Sequence, residues 1–207
     1  MRDWFTQEVA EIGLHASITF VQSKIDLIQA FSGGKFDLLL SFQTGVIVPT
    51  EILQIEGLMA INVHAASPDY PGRDPHHFAV YDSVTEYGAT MHYMTSKVDA
   101  GPIIAVELFP VKSRITPSDL MDLANQSAFI LIRRLAASLK DGEKPSLDDS
   151  LTWRGLKRTR KDFLELCNID PKIDEEEFTR RYFATQSPHH CNLTTIIHGH
   201  KFRIEPA

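Results

Sequence analysis

Three polar residues stand where apolar runs end. Asn62 and His64 close the run LMAINV, residues 58–63, and its successor, while Asp99 sits in the turn KVDAGP. Side chains alternate between the faces of a strand, so Asn62 and His64 share one side and Val63 turns to the other. A carboxylate in a Gly-containing turn at a sheet end can be brought to that imidazole by chain geometry. An imidazole with a carboxylate in reach is equipped for general acid–base work, and a neighbouring amide NH2 adds a hydrogen-bond donor. Each residue also has an ordinary structural use: a strand-end His caps or bonds backbone, and Asp favours turns for its own backbone bonding.

The elements that must hold these residues follow from periodicity. Trp4, Phe5, Val9 and Ile12 recur at helical spacing before Gly13, which predicts an opening amphipathic helix. Ser17 to Val21 reads as a short strand, and Lys24 to Phe31 as a helix ending at Gly33-Gly34. FDLLLSF is a strand covered on both faces. Pro49 opens a short helix, LMAINV is a second buried strand, and HAASPDYPGRDPHH is too rich in Pro, Gly and Asp to be regular. Ala89 to Met94 and Ile103 to Phe109 form two strands around the turn that carries Asp99, an antiparallel or edge arrangement. A long helix runs from Thr116-Pro117 to about Lys140. Buried strands alternating with helices predict an α/β fold: a mostly parallel twisted sheet flanked by helices, with ligands beyond the strands' carboxyl ends. The expected division is a main domain over 1–140, a polar linker over 141–152 (DGEKPSLDDS within it) and a small α+β appendage over 153–207 that begins with the basic run WRGLKRTRK.

Length and composition bound the function. A chain of 207 residues with 43% hydrophobic content buries one sizeable core, and a formal charge of -6 argues against a surface built to hold nucleic acid. Cys167 and Cys191 have neither the spacing of a zinc site nor the density of a disulfide scaffold, so both read as reduced thiols. The charged N-terminus lacks the apolar core of a secretory signal, and no stretch approaches the roughly 18 apolar residues of a membrane span. A cytoplasmic protein without membrane attachment is expected.

NVHAASPDYPGRDPHHFAVYD, followed by GATMHYMTSKVDAGPII, resembles the signature of the folate-dependent formyltransferases. That family includes glycinamide ribonucleotide transformylase, methionyl-tRNA formyltransferase and the sugar N-formyltransferases. The resemblance is clear from about Phe36 to Pro110, FQTGVIVPTEIL included, and looser to the C-terminus, whose tail is similar to that of the sugar enzymes. It implies that Asn62, His64 and Asp99 are the catalytic set and that 10-formyltetrahydrofolate is the co-substrate. It places the pterin between Gln43, Thr44, Gly45, Val46 and Ile47 on one side and Thr95, Ser96, Lys97 and Val98 on the other, with Val46, Ile47 and Val98 as apolar walls. The chemistry fits the residue types. An amine attacking a formyl carbonyl builds negative charge on oxygen, where one hydrogen-bond donor such as Asn62 or His64 is worth about 3 kcal/mol. Asp99 suits the amine's proton, and its charge is expected to raise the His64 pKa and hold that ring.

Two departures from the family stand out. The loop reads Ala65-Ala66-Ser67-Pro68 and is one residue shorter before Gly72, where the family usually has Ser two residues after the His and two Leu before the Pro. The chain also starts after the strand, Gly-containing loop and helix with which the family normally begins, so glycinamide ribonucleotide, whose phosphate that loop holds, is an unfavoured acceptor. The expected acceptor is a small-molecule amine, an amino-sugar linked to a nucleotide, touched by Ser67, Tyr70, Gly72, Arg73, Lys157 and Arg158. Arg154, Lys157, Arg158, Arg160 and Lys161 can neutralise a pyrophosphate, or form a solvated helix face. Competing readings are a methionyl-tRNA formyltransferase-like enzyme and a folate-binding or interaction module without turnover. A homodimer through the aromatic C-terminal segment is a further expectation. Nine His, among them His76-His77, His189-His190, His198 and His200, raise a metal reading. Adjacent His point apart, although His198 and His200 would share a face if both lay in one strand; no metal is expected.

Overall fold

The computed structural model describes residues 2–188 and 190–205; His189 of the second doublet lies outside them. The chain opens on α1 (Arg2–Ile12), ended by Gly13 at φ 77°, as the apolar spacing implies. In α2 (Lys24–Gly33), Ser23 and Asp26 form a capping box that satisfies two amides of the first turn. Residues 14–22 between them form no ladder, so the strand expected over Ser17 to Val21 is absent. Apolar spacing alone does not make a strand: its backbone groups need a partner, and none lies alongside. A cavity of about 900 Å³ separates this segment from β1 (Leu38–Phe42), both lining it.

The main sheet has the order β1-β2-β3-β4, with β2 (Met59–His64), β3 (Glu86–Tyr93) and β4 (Ile103–Pro110). The α/β class stands, with the sheet mixed. β1 and β2 run parallel across α3 (Thr50–Leu53), and the other two pairings are antiparallel. Residues 94–102 are too few for the crossover that a parallel pair requires, so β3 and β4 close as a hairpin.

One face of the sheet is apolar. Ile61, Val63, Ala89 and Met91 pack against Ala128, Leu131, Ile132 and Leu135 of α5 (Pro117–Lys140), with Trp4 and Phe5 of α1 at the side. Each large aliphatic side chain buried here contributes roughly 1.5–3 kcal/mol. Thr116 caps α5 by accepting the Asp119 amide, and Pro117 occupies its first turn. The alternation that buries Ile61 and Val63 sends Asn62 and His64 to the opposite face, beside Thr90 and His92 of β3.

The segment HAASPDYPGRDPHH is irregular only to Asp74, because Pro75 starts α4 (Pro75–Tyr81). Beyond α5 follow α6 (Arg160–Cys167), β5 (Asn168–Ile169), α7 (Glu175–Ala184), β6 (Gln186–Ser187), β7 (His190–Cys191), β8 (Thr194–Ile197) and β9 (His200–Arg203). The extended tail folds as two small hairpins, β6–β7 and β8–β9. Phe163, Leu166 and Cys167 cluster with Phe78 of α4, and the Tyr81 hydroxyl donates to Glu177, which fastens α6 and α7 to the main body. No described helix is long and apolar enough to cross a membrane.

Candidate active site

Asn62, His64 and Asp99 converge. Strand register sets Asn62 opposite His92 and His64 opposite Thr90. The β3–β4 loop leaves the sheet beside Ala60, whose carbonyl accepts the Met94 amide, and then folds back over the polar face. That return brings Asp99 Oδ2 to 3.8 Å from His64 Nδ1 and Asp99 Oδ1 to 3.6 Å from His92 Nε2. Asp99 is 6% exposed and sits at φ 46°, a left-handed conformation in which Asp is among the tolerated residues. Its Oδ2 also accepts the Gly72 amide at 3.0 Å. Burial pushes the Asp99 carboxyl up. The adjoining His92 nitrogen, the His64 charge and the Gly72 amide outweigh that and hold it below the ordinary carboxylate range.

The hydrogen bonds assign the ring nitrogens. His64 Nε2–H donates to the Tyr70 carbonyl at 2.9 Å, so a proton added to Nδ1 faces Asp99. His92 Nδ1–H donates to the Tyr93 carbonyl at 2.9 Å, which leaves Nε2 of the neutral ring to accept from Asn62 Nδ2 at 3.1 Å. One ring nitrogen cannot accept from an amide and donate to a carboxylate at once. Protonating His92 therefore turns Nε2–H toward Asp99 and requires Asn62 to swing its carbonyl inward. The orientation of the Asn62 amide is tied in this way to the charge on His92.

His92, 2% exposed, is the member of the site that the sequence reading passed over. Its signal was available in GATMHYM: a hairpin strand antiparallel to LMAINVH, with alternation that puts Thr90 and His92 on the face of Asn62 and His64.

The remaining expected contacts divide. The Ser67 hydroxyl is buried and finds no hydrogen-bond partner among the described residues. Tyr70 turns its side chain into the fold, where its hydroxyl donates to Asp82 and its ring lies against Tyr87; burial and the Asp82 carboxylate push its pKa up. Gly72 contributes its amide to Asp99. At φ 98°, with the Arg158 carbonyl 2.2 Å from where a Cβ would stand, no other residue fits there. Arg73 is exposed, and its guanidinium has no ion pair or hydrogen bond among the described residues. The Lys157 ammonium donates to the Val98 carbonyl, and the Arg158 guanidinium lies 4.8 Å over the Phe78 ring.

The two loops named for a pterin are apolar where it matters. Ile47 is 62% exposed and Val98 44%, with Val46 half-buried. Gln43 donates to Asn125, and Thr95 bonds the Lys97 backbone, which holds each loop in shape. The 900 Å³ cavity is lined by Gln43, Thr44, Gly45 and Val46, and not by Thr95, Ser96, Lys97 or Val98. Among the described residues no group of three or more His, Cys, Asp or Glu could hold a metal ion. His198 lies in the turn between β8 and β9, so it does not share a strand with His200.

Comparison with known proteins follows the same span. A family model described as formyl transferase matches residues 9–135. The methionyl-tRNA formyltransferase of Listeria monocytogenes is 38% identical over 87 residues, 42% of this chain and 28% of that protein. The methionyl-tRNA formyltransferase of Bacillus mycoides is 31% identical over 115 residues, 55% of this chain and 37% of that protein. The chain thus spans well under half the length of these curated relatives. In fold it is similar to a 4-N formyltransferase from Francisella tularensis (TM-score 0.70, 23% identity, 88% of this chain and 73% of that one). A sugar N-formyltransferase from a Shewanella species is close behind (TM-score 0.68, 20% identity, 83% of this chain and 70% of that one). The N-formyltransferase of Helicobacter canadensis, solved with folinic acid and dTDP-3-aminofucose, gives a TM-score of 0.54 at 16% identity, over 74% of this chain and 64% of that one. Since the family model covers more than half of the residues and includes Asn62, His64, His92 and Asp99, the chain belongs to the formyl transferase family.

Proposed function

We propose that this chain moves a formyl group from 10-formyltetrahydrofolate to a primary amine on a nucleotide-linked amino-sugar. The observation that carries the reading is the approach of Asp99 to His64 at 3.8 Å beside the Asn62 amide, a loop carboxylate brought back onto two side chains of β2. The amine nitrogen forms a bond to the formyl carbon while the carbonyl oxygen takes up negative charge. Asn62 Nδ2–H and a His64 N–H are the donors for that oxygen, released from His92 and from the Tyr70 carbonyl. Asp99, ionised at working pH, takes the amine's proton directly or through water. The bond from the formyl carbon to the folate nitrogen then breaks, the carbonyl re-forms, and the leaving nitrogen takes a proton.

Exposed apolar side chains on Ile47 and Val98 fit a flat aromatic ring, since covering them removes them from water. The loops Gln43 to Ile47 and Thr95 to Val98 would hold the pterin. A nucleotide-linked acceptor is supported by Arg73, whose guanidinium, unpaired among the described residues, follows directly on Gly72 and is suited to a phosphate. The basic run offers little to a polynucleotide. Arg154 is bound to Asp69, Lys157 to Val98, Arg160 to Asp74 and Lys161 to Glu165. The identity to methionyl-tRNA formyltransferases makes charged initiator tRNA the acceptor to test alongside. Incubation with 10-formyltetrahydrofolate and a panel of nucleotide-linked amino-sugars should give a formylated sugar. Formylation of initiator tRNA with no sugar modified would overturn the acceptor, and folate binding without transfer to any amine would overturn the reaction.

A further inference from the structure

Residues 153–158 lie outside the span matched by the family model, yet they cross the candidate site and touch both of its halves. On the catalytic loop, the Arg154 amide donates to the Pro68 carbonyl and its guanidinium grips Asp69 at 2.9 and 2.8 Å. The Arg158 amide donates to Pro71, and the Arg158 carbonyl accepts from Arg73. On the β3–β4 loop, Lys157 donates to the Val98 carbonyl, and Trp153 Nε1–H donates to the Gly101 carbonyl at 2.8 Å. The Trp153 ring meets His92 edge-on with centroids 5.1 Å apart and lies 6.0 Å from His64. Gly155 is pressed against the loop so closely that a Cβ there would stand 1.5 Å from the Asp69 carbonyl oxygen.

We propose that this segment is a strap and that Trp153 is a positioning residue of the site, holding the His64 and His92 rings in single orientations against Asp99. Among the described residues the indole is the one ring in contact with both imidazoles, while its N–H anchors the loop that carries the carboxylate. The hydrogen bonds hold the two rings unequally. His64 is bonded at Nε2, to the Tyr70 carbonyl, and His92 at both nitrogens, to the Tyr93 carbonyl and to the Asn62 amide, so the orientation of His64 above all depends on what packs against its ring. Displacing such a group by about 1 Å can cost a reaction about 10²-fold. The catalytic consequence rests on the formyl-transfer reading; the effect on the rings does not.

The test pairs two measurements on the full chain. In nitrogen-15 NMR spectra of the imidazoles, the wild type should show a single Nε2–H form for neutral His64 and a single Nδ1–H form for neutral His92. Trp153→Ala should show averaged tautomers for both, and Trp153→Phe, which keeps a ring, should restore most of the wild-type pattern. In formyl transfer, Trp153→Ala should lower kcat by about 10²-fold with KM little changed, and Trp153→Phe should recover most of it. Should Trp153→Ala fail to fold, Gly155→Ala displaces the strap with the indole intact and should average the same tautomers. Single tautomers retained in folded Trp153→Ala or in Gly155→Ala would overturn the proposal, whether or not the wild type proves to transfer formyl groups. Averaged tautomers with unaltered kcat would overturn the catalytic part alone.

Discussion

The groups that hold Asp99 ionised inside the protein, His92, His64 and the Gly72 amide, surround the centre of the proposed reaction, and this makes its removal informative. Asp99→Asn preserves shape and the Gly72 contact while deleting the charge between His64 and His92. Turnover should fall by roughly 10²–10⁴-fold with folate affinity nearly intact, checked by single-turnover kinetics beside equilibrium binding. Wild-type turnover in that variant would take Asp99 out of the mechanism. Arg73 carries a different prediction. Arg73→Ala should raise KM for a phosphate-bearing acceptor roughly tenfold or more, with kcat unaffected for saturating acceptor, because a charge-assisted bond to a phosphate contributes about 1.5–3 kcal/mol. An unchanged KM would separate the acceptor phosphate from this side chain. Residue identity was legible where alternation and motif agreed, as at Asn62 and His64. His92 escaped because its meaning depends on a pairing: alone it is one more His in a strand, and only opposite Asn62 does it become a partner of the amide.

At the scale of elements, the helices and the β3–β4 hairpin follow from local signals: capping residues at Ser23, Thr116 and Thr159, and a Gly-containing turn between alternating runs. Pairing is a non-local property. Ser17 to Val21 has strand composition and no ladder, while β1 pairs among the described residues only with β2. Hydrogen exchange should reveal that one-sidedness: β1 amides directed at β2 protected, and those directed at the cavity exchanging far faster, in alternation along Leu38–Phe42. Uniform protection along the strand would mean that the outer edge is covered in solution. The segment from Trp153 to Arg158 was legible as basic and polar, and its charge pointed outward to a ligand. In the fold those cations turn inward to Asp69, to the Val98 carbonyl and over Phe78, because the loop they cross presents carbonyls, a carboxylate and an aromatic face.

Over the whole molecule, two histidines outside the proposed mechanism, His76 and His77, carry a prediction about acid stability. His76 is half-buried with its Nδ1 3.1 Å from the Tyr87 hydroxyl, and loss of solvent around the ring, with the neighbouring His64 and His77 charges, lowers its pKa to about 3. His77, which donates to the Ala184 carbonyl and so ties α4 to the end of α7, is lowered too, chiefly by burial. Both are bases whose folded-state pKa lies below the unfolded value near 6.5. Their neutral forms therefore support the fold fully above about pH 6.5. As pH falls below that, the unfolded chain takes up protons that the folded one refuses. Stability drops by up to about 1.4 kcal/mol per pH unit for each group until the folded-state pKa is reached. The Asp99 carboxyl acts in a lower window, since its folded pKa is depressed: its contribution is present above about pH 4 and is lost as pH falls through the folded value. Urea unfolding followed from pH 8 to pH 4.5 should thus show a loss that begins near pH 6.5. A folded His76→Gln variant should flatten the part of that slope due to one proton. If the slope survives in His76→Gln, His76 takes up its proton in the folded chain as readily as in the unfolded one, and the burial of α4 against Tyr87 is looser in solution than its packing implies.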